Sequence, residues 1–140
     1  MCDLSRKIAE NVPTGDILYF APVLKKQLHA KNAQKLRLEG FVQTMKKLGK
    51  SYRVVTDTEE LSNYGGIVCA TDHYVLQALK HLGYPPDVQI AGFDNVSVLK
   101  NVTVKVLSVD YSTDKIAEES INYILGRRYT SEIEHSLVYN

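Results

Sequence analysis

Residues 66–95 read GIVCATDHYVLQALKHLGYPPDVQIAGFDN, and this stretch decides the predicted fold. It begins with a short apolar run at 67–70 and ends with a second apolar run at 88–93. Between the runs, apolar residues recur at helical spacing until Gly83 and two prolines stop the helix. Apolar runs joined by an amphipathic helix are typical of buried parallel strands, so the stretch predicts a strand–helix–strand unit.

The same alternation of strands and helices extends to both sides of this unit. The further predicted strands are 16–21, 52–56, 102–109 and an edge strand at 137–139, and the further predicted helices are 3–12, 33–48 and 113–125. Asn32 and Asp72 are predicted N-caps, 22–31 a loop, and 58–64 a single helical turn. We therefore predict an α/β fold, a three-layer αβα sandwich with a mainly parallel sheet, with residues 1–140 forming a single domain.

Composition narrows the class of protein. The hydrophobic fraction is 44%, the charged fraction 24% and the net charge +1, as in a soluble globular domain without a bulk preference for nucleic acid or membrane. The sequence shows no secretory signal and no apolar segment long enough to span a membrane. Cys69 is predicted to be a buried apolar residue, and Cys2 incidental. We expect a cytoplasmic protein with no disulfide, metal or cofactor.

The basic run from 25 to 53 contains Glu39 as its only acid. Such a run could be a nucleic-acid patch or the solvated face of a helix. The aromatic residues in it are Phe41, which falls on the predicted buried stripe, and Tyr52. Because aromatic residues are not interleaved with the charges, we interpret the run as a solvated face.

Polar residues gather at the predicted carboxyl ends of the strands, where ligands bind in open α/β sheets. Thr71 and Asp72 follow the third strand, Asp94 follows the fourth, and Arg37 lies early in a helix at the same edge. Arginine donors and carboxylate acceptors suit a ligand with several hydroxyl groups. The four residues are therefore the predicted ligand-binding residues.

Each of these residues also has a purely structural interpretation. Asp72 could be only an N-cap, Asp94 could only begin a turn with Asn95, and Arg37 could be one more solvated charge. Thr71 carries the weakest signal of the four.

Signatures of catalysis are missing from the sequence. There is no phosphate-binding glycine loop, no Gly-x-Ser-x-Gly elbow, and no pair of histidines at metal-ligand spacing. We expect a protein that is not an enzyme, and we keep a small α/β hydrolase or transferase as an alternative.

Several segments together resemble the effector-binding domain of the LacI/GalR family of transcriptional repressors. Residues 37–41, RLEGF, resemble its Arg-x-x-Gly-Phe signature, and 67–72 resemble its strand leading into an Asn-Asp pair. Residues 79–95 resemble its passage from Leu-Gly to Gly-Phe-Asp-Asn almost throughout. Asp110 followed by the helix 115–125 resembles its crossover. The resemblance covers most of residues 1–126.

The resemblance implies a dimeric, cytoplasmic repressor whose effector, a sugar or related metabolite, shifts its affinity for operator DNA. Family ligand residues correspond to Arg37 and Asp94, and Thr71 stands where many members have Asn. This chain corresponds to the C-terminal part only, so we expect operator DNA binding only through a missing N-terminal domain. The first effector subdomain is also expected to be absent, which leaves half of the ligand cleft and removes the usual partner of the helix 115–125. The stretch 57–65 is shorter than in the family.

The resemblance also bears on the oligomeric state and on an alternative function. Tyr74, Leu76, Val98 and Leu99 exceed what a core stripe needs, and the resemblance places them at the interface of a C2 homodimer. They could instead only cover the sheet. The alternative function is a sugar-binding module of a transport system, against which the lack of a signal peptide and the unpaired Cys69 argue.

Overall fold

The computed structural model describes residues 2–25 and 33–140, and the predicted N-cap at Asn32 lies outside them. In the described ranges the α-helices are α1 (Cys2–Asn11), α2 (Ala33–Leu48), α3 (Asp72–Leu82) and α4 (Thr113–Ile124). The strands are β1 (Asp16–Phe20), β2 (Tyr52–Val55), β3 (Tyr64–Cys69), β4 (Gln89–Phe93), β5 (Val106–Asp110) and β6 (Ser136–Tyr139). Short 3-10 helices cover Pro22–Lys25, Thr58–Glu60 and Ser97–Asn101.

The six strands form one sheet in the order β2-β1-β3-β4-β5-β6. The first five are parallel, and β6 pairs antiparallel with β5 at the edge. The prediction of an α/β fold with a mainly parallel sheet is therefore confirmed, as is the edge strand at the end of the chain.

Helices cover both faces of the sheet. Ile17 and Tyr19 of β1 face a core shared with α1 and α2, whereas Leu18 and Phe20 face a second core shared with α3. Successive residues of a strand point to opposite faces, so a continuous apolar run supplies both cores. The predicted three-layer arrangement is confirmed.

Two glycines let α1 approach β3 closely. A Cβ atom on Gly65 would lie 2.3 Å from Cγ1 of Val12 and 2.4 Å from the carbonyl oxygen of Thr14, so only glycine fits there. β3 begins at Tyr64, three residues before the predicted start, and these two glycines are among its first residues. Apolarity alone does not reveal a strand that begins with glycines.

The predicted strand 102–109 is correct only in its second half, because β5 begins at Val106. The side chain of Asn140 forms hydrogen bonds with the backbone in and around the first half of the predicted strand. Its Nδ2 donates to the carbonyl oxygens of Leu99, Val102 and Val104 at 2.9–3.1 Å, and its Oδ1 accepts from the N–H of Val106 at 2.8 Å. Residues 102–105 therefore form a bend held by one carboxamide.

Helix α4 differs from the other three α-helices of the described ranges in having no buried residue. Its large apolar side chains are exposed, with 54% exposure for Ile121 and 78% for Ile124. A groove of about 460 Å³ runs between α4 and the segment 129–133. The expectation that this helix lacks its usual partner stays a prediction. None of the helices in residues 2–25 and 33–140 is long and apolar enough to cross a membrane.

Candidate functional site

Arg37 lies in the second turn of α2 and reaches across the carboxyl ends of three strands. Its Nη1 donates to the carbonyl oxygen of Ala70, which follows β3, at 2.7 Å. Its Nη2 donates to Oδ1 of Asp94, after β4, at 3.3 Å and to the hydroxyl of Tyr111, after β5, at 3.2 Å. The predicted meeting of Arg37 and Asp94 at one edge of the sheet is confirmed. Their role in binding a ligand stays a prediction.

Two aromatic rings hold the guanidinium in place. It lies 4.5 Å from the centre of the Phe93 ring and 5.8 Å from that of Tyr111. Arginine is favoured over an aromatic face because the π electrons attract its positive charge. As a result the Arg37 side chain is only 11% exposed, whereas that of Asp94 is 38% exposed. The site thus offers solvent a carboxylate beside a fixed cation.

Thr71 is the N-cap of α3. Its hydroxyl accepts from the N–H of Tyr74 at 3.4 Å, as expected of a side chain that satisfies a free donor at a helix start. Thr71 is half-buried next to Ala70, the carbonyl partner of Arg37, so it lies at the predicted edge. The prediction that Asp72 is the N-cap is wrong by one residue.

Asp72 is fully buried at the start of α3 and contacts this chain rather than solvent. Its carboxylate accepts from the Ser108 hydroxyl at 2.8–2.9 Å and from the N–H of Val96 at 3.0 Å. A Cβ on Gly92 would lie 2.3 Å from Oδ1, so glycine there leaves the space that the carboxylate fills. Burial raises the pKa of Asp72 to about 6, although the hydrogen bonds from Val96 and Ser108 lower it. The structure thus places Asp72 beneath the site rather than on its surface.

The turn that carries Asp94 is held by hydrogen bonds to side chains of β5. Asp94 has φ 99° and Asn95 has φ 46°, values that most residues avoid but that Asn and Asp tolerate. The N–H of Asn95 donates to the Ser108 hydroxyl at 3.0 Å, and its Nδ2 donates to Oδ2 of Asp110 at 3.1 Å. Because Ser108 in turn donates to Asp72, the turn rests on a buried carboxylate.

Tyr19 has an unusual buried hydroxyl group close to Arg37. Its ring packs against Phe41 at 5.0 Å, and its hydroxyl has no hydrogen-bond partner among the described residues. Burial raises the pKa of this hydroxyl, and the charge of Arg37 opposes that rise.

The sequence analysis missed Phe93, Tyr111 and Ser108. Tyr111 follows the carboxyl end of β5, so the rule that found Asp94 would have found it had the strand been assigned to end at Asp110. Asp57, which follows β2, pairs with Lys25 instead of Arg37.

The predicted dimer-interface residues divide into buried and exposed. Leu99 is 1% exposed and belongs to the core on the α3 side, because the 3-10 helix that carries it turns it inward. Tyr74 packs edge-on against Phe20 at 5.9 Å, and Leu76 packs against the same core. Val98 is 42% exposed. The structure thus contradicts an interface role for Leu99 and leaves Val98 as the accessible member.

No group of three or more His, Cys, Asp or Glu residues that could hold a metal ion occurs in the described part of the chain. Cys69 is buried and unpaired, and burial raises the pKa of its thiol. It fits the predicted role of a small apolar residue.

No model of a known protein family matches the sequence, and no curated protein sequence matches it. Solved structures do match. A periplasmic binding protein/LacI transcriptional regulator from Alkaliphilus metalliredigens, complexed with D-xylulofuranose, matches with a TM-score of 0.64 and 20% identity over 98% of this chain and 59% of its own. A dimeric Lac repressor with an 11-residue C-terminal deletion matches with a TM-score of 0.69 and 13% identity, over 98% and 59%.

A solute-binding protein of an ABC transporter from Burkholderia multivorans also matches, with a TM-score of 0.62 and 17% identity over 98% of this chain and 57% of that one. The chain therefore spans less than two thirds of the length of these three neighbours. Its structural neighbours are LacI-type regulators and periplasmic-binding-protein-like proteins, and the chain has the fold of the corresponding part of them.

Proposed function

We propose that this chain is the effector-sensing and dimerisation part of a LacI/GalR-type transcriptional regulator, with a sugar or related metabolite as effector. The observation that carries the proposal is the Arg37–Asp94 pair at the carboxyl edge of the sheet, where a fixed cation stands beside a partly exposed carboxylate. Hydroxyl groups both donate and accept hydrogen bonds, so a polyol can bind both charges at once.

The pair is suited to exchange partners. Its 3.3 Å separation is longer than the roughly 2.7–2.9 Å of a strong charge-assisted bond, so the pair loses little when an effector hydroxyl replaces it. Arg37 stays oriented meanwhile by Ala70 and Phe93. The neighbour from Alkaliphilus metalliredigens holds a pentulose, which makes D-xylulose a reasonable first probe.

The proposed activity is binding without turnover. Ser108 and Asp72 contact each other as a nucleophile and its base would, but they are 1% and 0% exposed, so no substrate reaches them. A general base must come within hydrogen-bond reach of its substrate. The alternative, a sugar-binding module of a transport system, shares the fold. The buried free thiol of Cys69 supports the regulator, because free thiols are typical of reducing compartments.

The binding site is tested by titrating D-xylulose, D-ribose and D-glucose into the chain by calorimetry. We expect Asp94→Asn and Arg37→Gln each to weaken the binding of the preferred sugar by at least about tenfold, or about 1.4 kcal/mol. The matched control is the Arg53–Asp16 ion pair, 3.1 Å long and at the amino end of the sheet. Arg53→Gln and Asp16→Asn are expected to leave the affinity unchanged.

Unchanged affinity in both site variants would refute the assignment of these residues, and failure of every probe to bind at millimolar concentration would refute effector binding by this chain. The choice between regulator and transport module is tested by the coding sequence upstream of the chain. A helix-turn-helix there supports the regulator, and an apolar leader supports the transport module.

The proposed homodimer is tested at Val98. Sedimentation of the chain at high concentration is expected to show a dimer, and Val98→Asp is expected to shift it to the monomer without changing its circular dichroism. A wild-type chain that sediments as a monomer would remove dimerisation from the proposal.

A further inference from the structure

The turn after β4 and the start of α4 are joined by one carboxylate. Oδ2 of Asp110 accepts from Nδ2 of Asn95 at 3.1 Å, and Oδ1 accepts from the N–H of Ser112 at 2.8 Å. Asn95 and Ser112 both have left-handed backbones, with φ 46° and 54°. Asn tolerates this conformation, whereas Ser adopts it less readily and needs support from its surroundings. Asp110 therefore binds the side-chain amide of Asn95 and the backbone of Ser112 at once.

The other side of the turn is fixed to the sheet. The Ser108 hydroxyl accepts from the N–H of Asn95 and donates to Asp72, and the N–H of Val96 donates to Asp72 directly. The hydrogen bonds thus form a continuous series from the start of α3 to the start of α4. Asp94, the partner of Arg37, lies next to Asn95 in this series.

Few contacts fix the direction of helix α4. It buries none of its residues against the sheet. The Ser112 hydroxyl donates to the carbonyl oxygen of Glu134, and Glu119 accepts from the N–H of Thr130. Thr130 and Glu134 belong to the segment that connects α4 to β6, so these two bonds tie the helix to the edge of the sheet from its other end. The Asp110–Ser112 bond fixes the start of α4, and a change in it is expected to reorient the helix.

We propose that Asn95 is a positioning residue that couples the Arg37–Asp94 pair to the direction of α4. A change of partner at Asp94 rotates the neighbouring Asn95, and its amide transmits the rotation through Asp110 to Ser112. The regulatory meaning of this coupling rests on the proposed function. The coupling itself is measurable without any effector, so it can fail or hold independently of sugar binding.

The test measures the distance between spin labels on α3 and α4 in the ligand-free chain. Gln77 and Glu118 are exposed and serve as sites for Gln77→Cys and Glu118→Cys, in a background with Cys2→Ser. Cys69 is buried, and burial raises the pKa of its thiol, so it is not expected to react with the label. Asn95→Asp places two carboxylates against each other and is expected to displace α4 by about 1–2 Å, in the range of helix shifts in allosteric proteins.

The exchanged pair provides the rescue. The double variant Asn95→Asp with Asp110→Asn again has one carboxylate facing one amide, and the oxygen of the new amide can still accept from Ser112. We expect it to restore the wild-type distance, a non-additive result that shows direct coupling. Asn63 has φ 51° and is exposed in the loop before β3, so Asn63→Asp is the matched control and is expected to leave the distance unchanged.

The link to Asp94 is tested with Asp94→Asn in a Tyr111→Phe background, which removes the direct hydrogen bond between Arg37 and the segment before α4. We expect Asp94→Asn to shift the label distance, and to add no shift once Asn95→Gly has removed the amide. Asn95→Gly keeps the left-handed backbone accessible, so it also replaces Asn95→Asp should that variant not fold. An unchanged distance in the Asn95 variants, or a shift that the exchanged pair does not reverse, would overturn the proposal.

Discussion

Helices α3 and α4 begin at the same edge of the sheet, after β3 and β5, and both are amphipathic. Four residues of α3 are buried, among them Val75 and Leu79, whereas α4 buries none and exposes Ile121 and Ile124. The difference teaches that an apolar stripe shows which face of a helix favours burial. It does not show whether other residues of the same chain bury that face.

The largest expected effect is a difference between α3 and α4 in how much a truncated side chain lowers the free energy of unfolding. Leu79→Ala removes a fully buried side chain and is expected to lower the free energy of unfolding by about 3–5 kcal/mol. Ile121→Ala removes a mostly exposed one and is expected to cost less than about 0.5 kcal/mol. Urea denaturation measures both. A cost at Ile121 comparable with that at Leu79 would show that α4 is covered in solution.

A second effect concerns the buried carboxylate at the start of α3. Asp72 has a pKa of about 6 in the folded chain, against about 3.9 for an unfolded Asp. Between these values the folded state binds a proton that the unfolded state does not. The Asp72 contribution to the free energy of unfolding should therefore fall by about 2–3 kcal/mol as the pH rises from about 4 to about 6, and then level off.

Asp72→Asn isolates this contribution. Asp16 and Glu60 act in the opposite direction, because hydrogen bonds from Ser51 and from the Thr56 backbone lower their respective pKa values. The difference between wild type and Asp72→Asn cancels them. Parallel stability curves for the two proteins between pH 4 and pH 7 would show that Asp72 does not titrate in this range.

The smallest effect compares the two helix starts. Thr71→Ala removes the hydroxyl that caps α3 and is expected to cost about 1 kcal/mol. Ser112 makes no side-chain cap bond to α4, so Ser112→Ala is expected to cost less than about 0.5 kcal/mol. Thermal unfolding of the two variants under one set of conditions distinguishes them. Equal losses would contradict the different capping of α3 and α4.

Much of the fold could be predicted because the buried strands are short apolar runs with clear helical stretches between them. The failures have local causes that composition does not express. The first residues of β3 include two glycines that pack against Val12, and the start of β5 is bound by Asn140, which lies more than thirty residues further along the chain. A contact between distant residues leaves no periodic signal near either of them.

The sequence predicted the charged residues of the candidate site, but not the buried residues that hold them in position. Arg37 and Asp94 could be placed at one edge because parallel strands end there together. The position of Asp72 beneath the turn could not be predicted, because an Asp just before a helix looks the same in sequence whether it caps the helix or accepts from Ser108 and Val96. Burial decides between the two, and burial of a polar residue depends on what packs above it.

The antiparallel edge strand has a consequence for solubility. A sheet ending at β5 would expose the backbone of an apolar five-residue strand, whereas β6 makes a shorter edge of four residues with exposed ends, and long apolar edges promote aggregation. β6 pairs with β5 along Leu107–Asp110, and the carboxamide of Asn140 satisfies the backbone just before it. Shortening β6 is therefore expected to increase edge-to-edge association, even though few core contacts are lost.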